Sequence, residues 1–388
     1  MTTMSSPVRV RAETRQSLKS VWTIAVCGVL PLCALAIVLS DLVDGNAGWA
    51  FREAFLGAAD AVLHGADPYP GLEDPSIVEG TAYVYPPLLA LIAAPFTFVA
   101  ANVAAIGFAL VLVAAVPATL LLLGVRDWRC HGLVFLWPAV LSAVHVENIT
   151  ILMGLAAALA WRFRDAATGP LTLGVSLALK PLLWPLAPWL AGTRRVPSLV
   201  WGGVVALVTA LGSWAVIGFD GLVEYEALVR RLGEVMDEWG YSVYALALDL
   251  GAADAVARGL WLLLAVGLLA SAFVVSRRGR DRQGFILAMA AVIACSPIVW
   301  LHYFALLLVI VAVAKPTLGA VWFAPLLLYG AEEIGNGTPF QTAFTLAVAA
   351  LTVALAFRVA AEEAEPATAP TAVETVPAAS PAVAAAQP

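Results

Sequence analysis

Apolar runs of about 20 residues recur along this chain from Val21 to Phe357, and that is the length a helix needs to cross a hydrocarbon core roughly 30 Å thick. One globular core cannot bury so much apolar surface. With 388 residues, 62% of them apolar and only 12% charged, and a mean hydropathy of +0.90, the chain has lipid as its solvent. The predicted fold class is an all-α polytopic membrane protein of about 12 crossings at roughly 20 residues each.

The basic residues report which side each loop occupies. Arg9, Arg11, Arg15 and Lys19 precede the first apolar run, residues 21–40, which ends without a small-residue cleavage site. The N-terminus is therefore read as cytoplasmic and the first helix as retained. Residues 41–84 hold eight acids against Arg52 alone and form a first outer loop. Further spans are expected near 131–146, 148–162, 169–180, 182–192, 197–217, 255–276, 284–299, 303–314, 317–332 and 340–358. Alternating them places Arg162, Arg164, Arg194, Arg195, Arg277, Arg278, Arg280, Arg282, Lys315 and Arg358 in the cytoplasm. Keeping Arg126 and Arg129 there too requires a single net crossing over 86–124, where the apolar run breaks near Ala101 and Asn102, so its first half is read as re-entrant.

The domain plan is a cytoplasmic segment 1–20, a transmembrane domain 21–360 with outer loops 41–84 and 218–252, and a tail 361–388. From Glu363 on, the tail is rich in Ala, Pro, Thr and Val without an aromatic residue, a composition that cannot form a packed core. Within the second outer loop, Leu222, Tyr225, Leu228, Val229 and Leu232 recur at helical spacing, which predicts an amphipathic interfacial helix; residues 50–64 suggest another. The four cysteines show neither CxxC spacing nor histidine neighbours and read as packing residues.

Polar groups at the ends of apolar helices are costly unless they face a cavity or each other. Here they gather on the outer side: His145, Glu147 and Asn148 between two spans, Lys180 between two short spans, Arg230 and Arg231, His302 with Tyr303, and Glu332 with Glu333. That asymmetry suits chemistry at an interface better than a transporter or lipid-carrier flippase, which needs ionisable groups near mid-membrane.

The sharpest patterns are Gly65-Ala66-Asp67-Pro68-Tyr69 and Tyr83-Val84-Tyr85-Pro86-Pro87-Leu88, whose tandem prolines suit a helix start. With Phe51-Arg52, Asn148, Leu177-Ala178-Leu179-Lys180-Pro181, Ser296-Pro297 and Trp300-Leu301-His302-Tyr303, the chain resembles glycosyltransferase family 87 over roughly Trp49 to Gln341. The resemblance implies a GT-C-type helical bundle, a pocket at the outer face of the cytoplasmic membrane, and a polyprenyl-phosphate sugar as donor. It implies transfer of mannose, or arabinofuranose, to a cell-envelope glycolipid or glycan, as in actinobacteria. No cofactor or metal is required, membrane lipids are the other partners, and no nucleic acid is expected.

Displacement at an anomeric carbon needs a carboxylate for the acceptor's proton and cations for the leaving phosphate. The family's acid aligns with Ala50, so Glu53 or Asp44 is expected to serve as base, Glu53 first because it shares a predicted helix with Arg52. Candidates for the donor phosphate are Lys180, His302, Arg230, Arg231 and Arg52. Each has a plainer alternative: a salt bridge of Lys180 with Glu147, a bundle hydrogen bond for His302, solvation for the two interfacial arginines. Tyr69, Tyr85, Glu147, Asn148 and Tyr303 are expected around the substrate, and Asp67 has the alternative of organising the Pro68-Tyr69 turn. A relative that binds donor without turning it over is the third reading, kept open by Ala50.

Overall fold

The computed structural model describes residues 20–236, 240–296, 298–331 and 337–362. The N-terminal segment, the tail and the residues Trp239, Pro297, Glu332 and Glu333 fall outside them. The chain is 77% helix, and no strand occurs among the described residues. In chain order the helices are α1 (Ser20–Val43), α2 (Leu56–Leu63), α3 (Pro75–Glu79), α4 (Pro87–Ala93), α5 (Ala101–Leu122), α6 (Trp128–Leu133), α7 (Pro138–His145), α8 (Thr150–Arg162) and α9 (Thr168–Leu179). They continue with α10 (Ala187–Gly192), α11 (Val196–Val216), α12 (Leu222–Val235), α13 (Val243–Asp249), α14 (Asp254–Arg277), α15 (Asp281–Ala294), α16 (Leu307–Ala314) and α17 (Pro339–Glu362).

By length and composition five helices can cross a membrane: α1, α5, α11, α14 and α17. A sixth crossing is counted if α7 and α8, bent by 117° at their junction, form one span. The expectation of about 12 crossings treats every apolar run as a full span. Several of those runs instead fold into helices of 6 to 14 residues, or into the 3-10 stretch Ala320–Gly330 with Pro325 inside it. Pieces this short are tolerated where neighbouring helices, rather than lipid, surround the interrupted backbone. The break expected near Ala101 falls at Val99–Ala100, where the backbone turns extended between the 3-10 segment Ala94–Phe98 and α5.

A helix apolar all round belongs in an interior, and α16 with its 3-10 lead-in Leu301–Leu306 is buried at every residue. Around it, small residues let backbones approach: a Cβ at Gly174 of α9 would meet Val205 and the Gly202 carbonyl of α11, and one at Gly192 of α10 would meet Ser276 and Phe273 of α14. At the end opposite the first loop, Asp281 ties three elements together. It accepts from Arg164 Nε at 3.1 Å, from Arg195 at 3.0 Å and from Trp189 Nε1 at 2.6 Å.

The predicted amphipathic helix is α12. Leu228 and Leu232 pack with Ile77 of α3 and with Met236, while Tyr225 donates to the Val84 carbonyl at 3.0 Å. The second loop thus lies on the first and roofs the ends of the short helices. The other amphipathic segment begins as a π-helical turn, Ala50–Phe55, and continues as α2.

Candidate functional site

Asp67 turns the chain where it was expected to, accepting from the Tyr69 amide at 2.9 Å. The Tyr69 ring then stacks on Trp214, with centres 5.4 Å apart, and its hydroxyl donates to the Tyr85 carbonyl at 3.0 Å. Tyr83 donates to the Pro86 carbonyl at 2.7 Å and accepts from the Ala90 amide at 3.0 Å, which holds the Pro86-Pro87 corner onto α4. Burial raises the phenol pKa values of Tyr69 and Tyr225, so both remain neutral donors.

Below this corner lies a cavity of about 310 Å³, lined by Tyr85, Lys180, Trp184, Tyr225, Trp300 and Tyr303 among others. Lys180 ends α9 in extended backbone and is 8% exposed. Its Nζ sits 4.4 Å from the Tyr303 ring centre and 5.3 Å from that of Tyr85. Among the described residues it is the only charged side chain lining the cavity, and no carboxylate pairs with it. An ammonium buried this way lacks a counter-charge, while the two ring faces supply partial compensation. The salt bridge with Glu147 weighed from the sequence is absent.

Asn148 holds Tyr85, one of the lining residues, from behind. Its Nδ2 donates to the Tyr85 hydroxyl at 3.1 Å, and its Oδ1 accepts from the amide and hydroxyl of Thr150 at 3.1 and 2.8 Å, capping α8. The preceding Glu147 has φ of 58°, a conformation a glutamate rarely adopts. Its carboxyl is fully buried, and neither oxygen has a hydrogen-bond partner. It presses on Gly48, where a Cβ would run into it. Gly48 itself has φ of 81°. Its amide donates to the His145 carbonyl at 2.8 Å and that of Ala50 to Val146 at 3.2 Å, so the start of the first loop is stitched to the α7–α8 corner.

The remaining candidates separate. Tyr69, Tyr85, Asn148, Lys180 and Tyr303 share one aromatic and polar cluster. His302 lies beside it, 3% exposed, its ring in contact with those of Trp300 and Tyr303 and its Nε2 without a hydrogen-bond partner. Arg52 is occupied elsewhere. It donates to the Ala47 carbonyl at 3.1 Å, to that of Leu42 at 2.7 Å and to the Asn102 side chain, riveting the end of α1 to the start of α5. Arg230 and Arg231 sit on the exposed face of α12, paired to Glu226 at 2.7 Å and Glu234 at 3.7 Å. Asp44 and Glu53 are exposed and do not line the Lys180 cavity. Ala50 is 2% exposed and lines a cleft of about 20 Å³ that shares Val84, Tyr85, Leu232 and Trp300 with that cavity.

Trp184, which lines the cavity, was not singled out in the sequence because it sits inside an apolar run with no pattern of its own, and Cys295, read there as a packing residue, lines the cavity too. Among the described residues, no three His, Cys, Asp or Glu side chains gather closely enough to hold a metal ion. No curated protein and no solved structure matches the chain. Residues 83–302, more than half of its length, match the family described as glycosyltransferase family 87.

Proposed function

The chain belongs to glycosyltransferase family 87 and is a membrane glycosyltransferase; we propose that it transfers mannose from a polyprenyl-phosphate donor to a cell-envelope acceptor at the outer face of the cytoplasmic membrane. The observation that carries this reading is Lys180, a buried cation without a carboxylate, in a cavity otherwise walled by aromatic and apolar side chains. A phosphodiester brings the missing charge, and the low dielectric that makes the lone ammonium costly strengthens the pair once formed. His302 is buried beside Tyr303 behind the cavity wall, where it backs the phosphate site without lining it. Arg230 and Arg231 stay at the rim, suited to lipid headgroups.

In the reaction the acceptor hydroxyl oxygen attacks the anomeric carbon. The carbon–oxygen bond to the phosphate breaks, its electron pair leaves with the polyprenyl phosphate, and the hydroxyl proton passes to a carboxylate. Lys180 neutralises charge as it grows on the departing phosphate, which is where a fixed cation accelerates a displacement. Glu147, whose carboxyl lies against Gly48 at the start of the turn that reaches Ala50 and the small cleft beside the cavity, is assigned the proton; Glu53 and Asp44 are the exposed alternatives. The sorting of basic residues supports an outward-facing site with both termini in the cytoplasm.

A second reading, donor binding without turnover, is favoured by one observation: a buried alanine at position 50, where an acid is implied. Radiolabelled polyprenyl-phosphate mannose incubated with an envelope lipid extract and purified protein separates the two. Wild type transfers label, Lys180→Met loses it by about 10- to 100-fold, the worth of one charge-assisted hydrogen bond, and one of Glu147→Gln, Glu53→Gln or Asp44→Asn abolishes it. Full activity in Lys180→Met overturns the assignment of the phosphate site. Bound donor with no product from any acceptor, arabinofuranosyl donors included, establishes the silent reading.

A further inference from the structure

At the Val84–Pro86 corner three tyrosines spend their protons on the chain itself. Tyr225, Tyr69 and Tyr83 donate to the carbonyls of Val84, Tyr85 and Pro86 in turn, at 3.0, 3.0 and 2.7 Å. Tyr85 differs. Its hydroxyl accepts from Asn148 Nδ2 at 3.1 Å, and it lines the cavity of Lys180, whose ammonium lies 5.3 Å from its ring centre.

Which end of the Asn148 amide meets Tyr85 is decided on its far side. Asn148 Oδ1 accepts from the Thr150 amide and hydroxyl at 3.1 and 2.8 Å, with both residues buried. A backbone N–H only donates, so the atom facing it is the oxygen and the atom left for Tyr85 is the NH2. An amide NH2 and an ammonium are likewise donors only. The Tyr85 proton can go to neither of them, and among the described residues no acceptor meets it. The ring cannot swing aside to find one, since it packs edge-on against Phe55 with centres 5.1 Å apart and its own carbonyl is held by Tyr69.

We propose that Tyr85 donates this proton to the anion that Lys180 neutralises, a phosphate oxygen of the donor, and that Asn148 is the positioning residue that aims it. Resting on the phosphate site read above, Tyr85 adds a neutral donor beside the cation. A hydrogen bond to an ionised oxygen is roughly twice as strong as one between neutral groups. On a leaving phosphate it strengthens further as charge gathers there during the displacement.

Binding of farnesyl phosphate to the purified protein, with farnesol as the uncharged control, tests the contact without requiring turnover. Tyr85→Phe keeps the ring and removes the proton. It is expected to weaken farnesyl phosphate by about 10- to 100-fold, the worth of a hydrogen bond to a charged group, and to leave farnesol unchanged. Asn148→Asp keeps an oxygen for Thr150 but turns a second one toward Tyr85, which captures the proton, so farnesyl phosphate is weakened to a similar degree. In a chain already carrying Tyr85→Phe, Asn148→Asp adds far less than it does alone. A full further loss means that the new charge repels the phosphate directly and overturns the positioning role. Undiminished farnesyl phosphate binding in Tyr85→Phe, or an equal loss of farnesol, overturns the contact. Absence of farnesyl phosphate binding in wild type overturns it together with the phosphate site. Tyr85-dependent binding in a protein that transfers sugar from no donor leaves the contact standing and rejects the transferase reading instead.

Discussion

Gly48 and Glu147 hold each other in place although almost 100 positions separate them. Both adopt positive φ, at 81° and 58°, and the missing Cβ of one is the room taken by the carboxyl of the other. Gly48→Ala is expected to cost about 1–3 kcal/mol in backbone strain, with steric overlap added. Thermal unfolding in detergent measures the loss, and Glu147→Ala in the same chain relieves the overlap with the carboxyl but not the strain; full recovery of stability by the double substitution would show that backbone conformation contributes nothing. Such a pairing is not readable in the sequence, because a glycine reveals its use only when its neighbour in space is known. His145 and Asn148 were readable, since a polar group at a break between apolar runs needs a cavity or a partner, whereas Glu147 is buried with neither. The exposure of Asp44 and Glu53 was not, because spacing alone cannot say toward which side a loop acid turns.

Among the elements, α12 is the one whose packing bears most directly on the site. Leu228 is buried against the first loop without lining the cavity, whereas Tyr225 and Leu232 line it. Leu228→Ala removes a core contact worth about 2–5 kcal/mol when fully buried. Hydrogen exchange over 222–235 is expected to quicken while α16 stays protected, and donor affinity falls as the roof loosens. Unchanged exchange in α12 would mean that the Tyr225 bond to Val84, not the leucine packing, holds it down. The period of this helix was readable because one of its faces meets water. Helices of the interior carry no such contrast: α16 is apolar at every position, so the sequence marks its existence but not its length or neighbours, and the count of crossings inherits that ambiguity.

For the whole molecule, the plan is a helix buried at every residue and packed on α5, α8, α15 and α17, with Asp281 fastening one end of the fold and cavities at the other. Polarity along the chain was enough to pick out Tyr69, Tyr85, Asn148, Lys180 and Tyr303, which the fold brings into one cluster. The number of cavities was not legible, since it depends on Trp300 and Leu301 facing opposite ways, the first into the Lys180 cavity and the second into one between α1 and α7. The Lys180 cavity has a kinetic consequence. On the transferase reading proposed above, the donor fills the Lys180 cavity without displacing the acceptor, and a ternary complex precedes product. Initial rates measured over a grid of both concentrations should give intersecting reciprocal lines; parallel lines would mean a sugar parked covalently on the protein between two half-reactions.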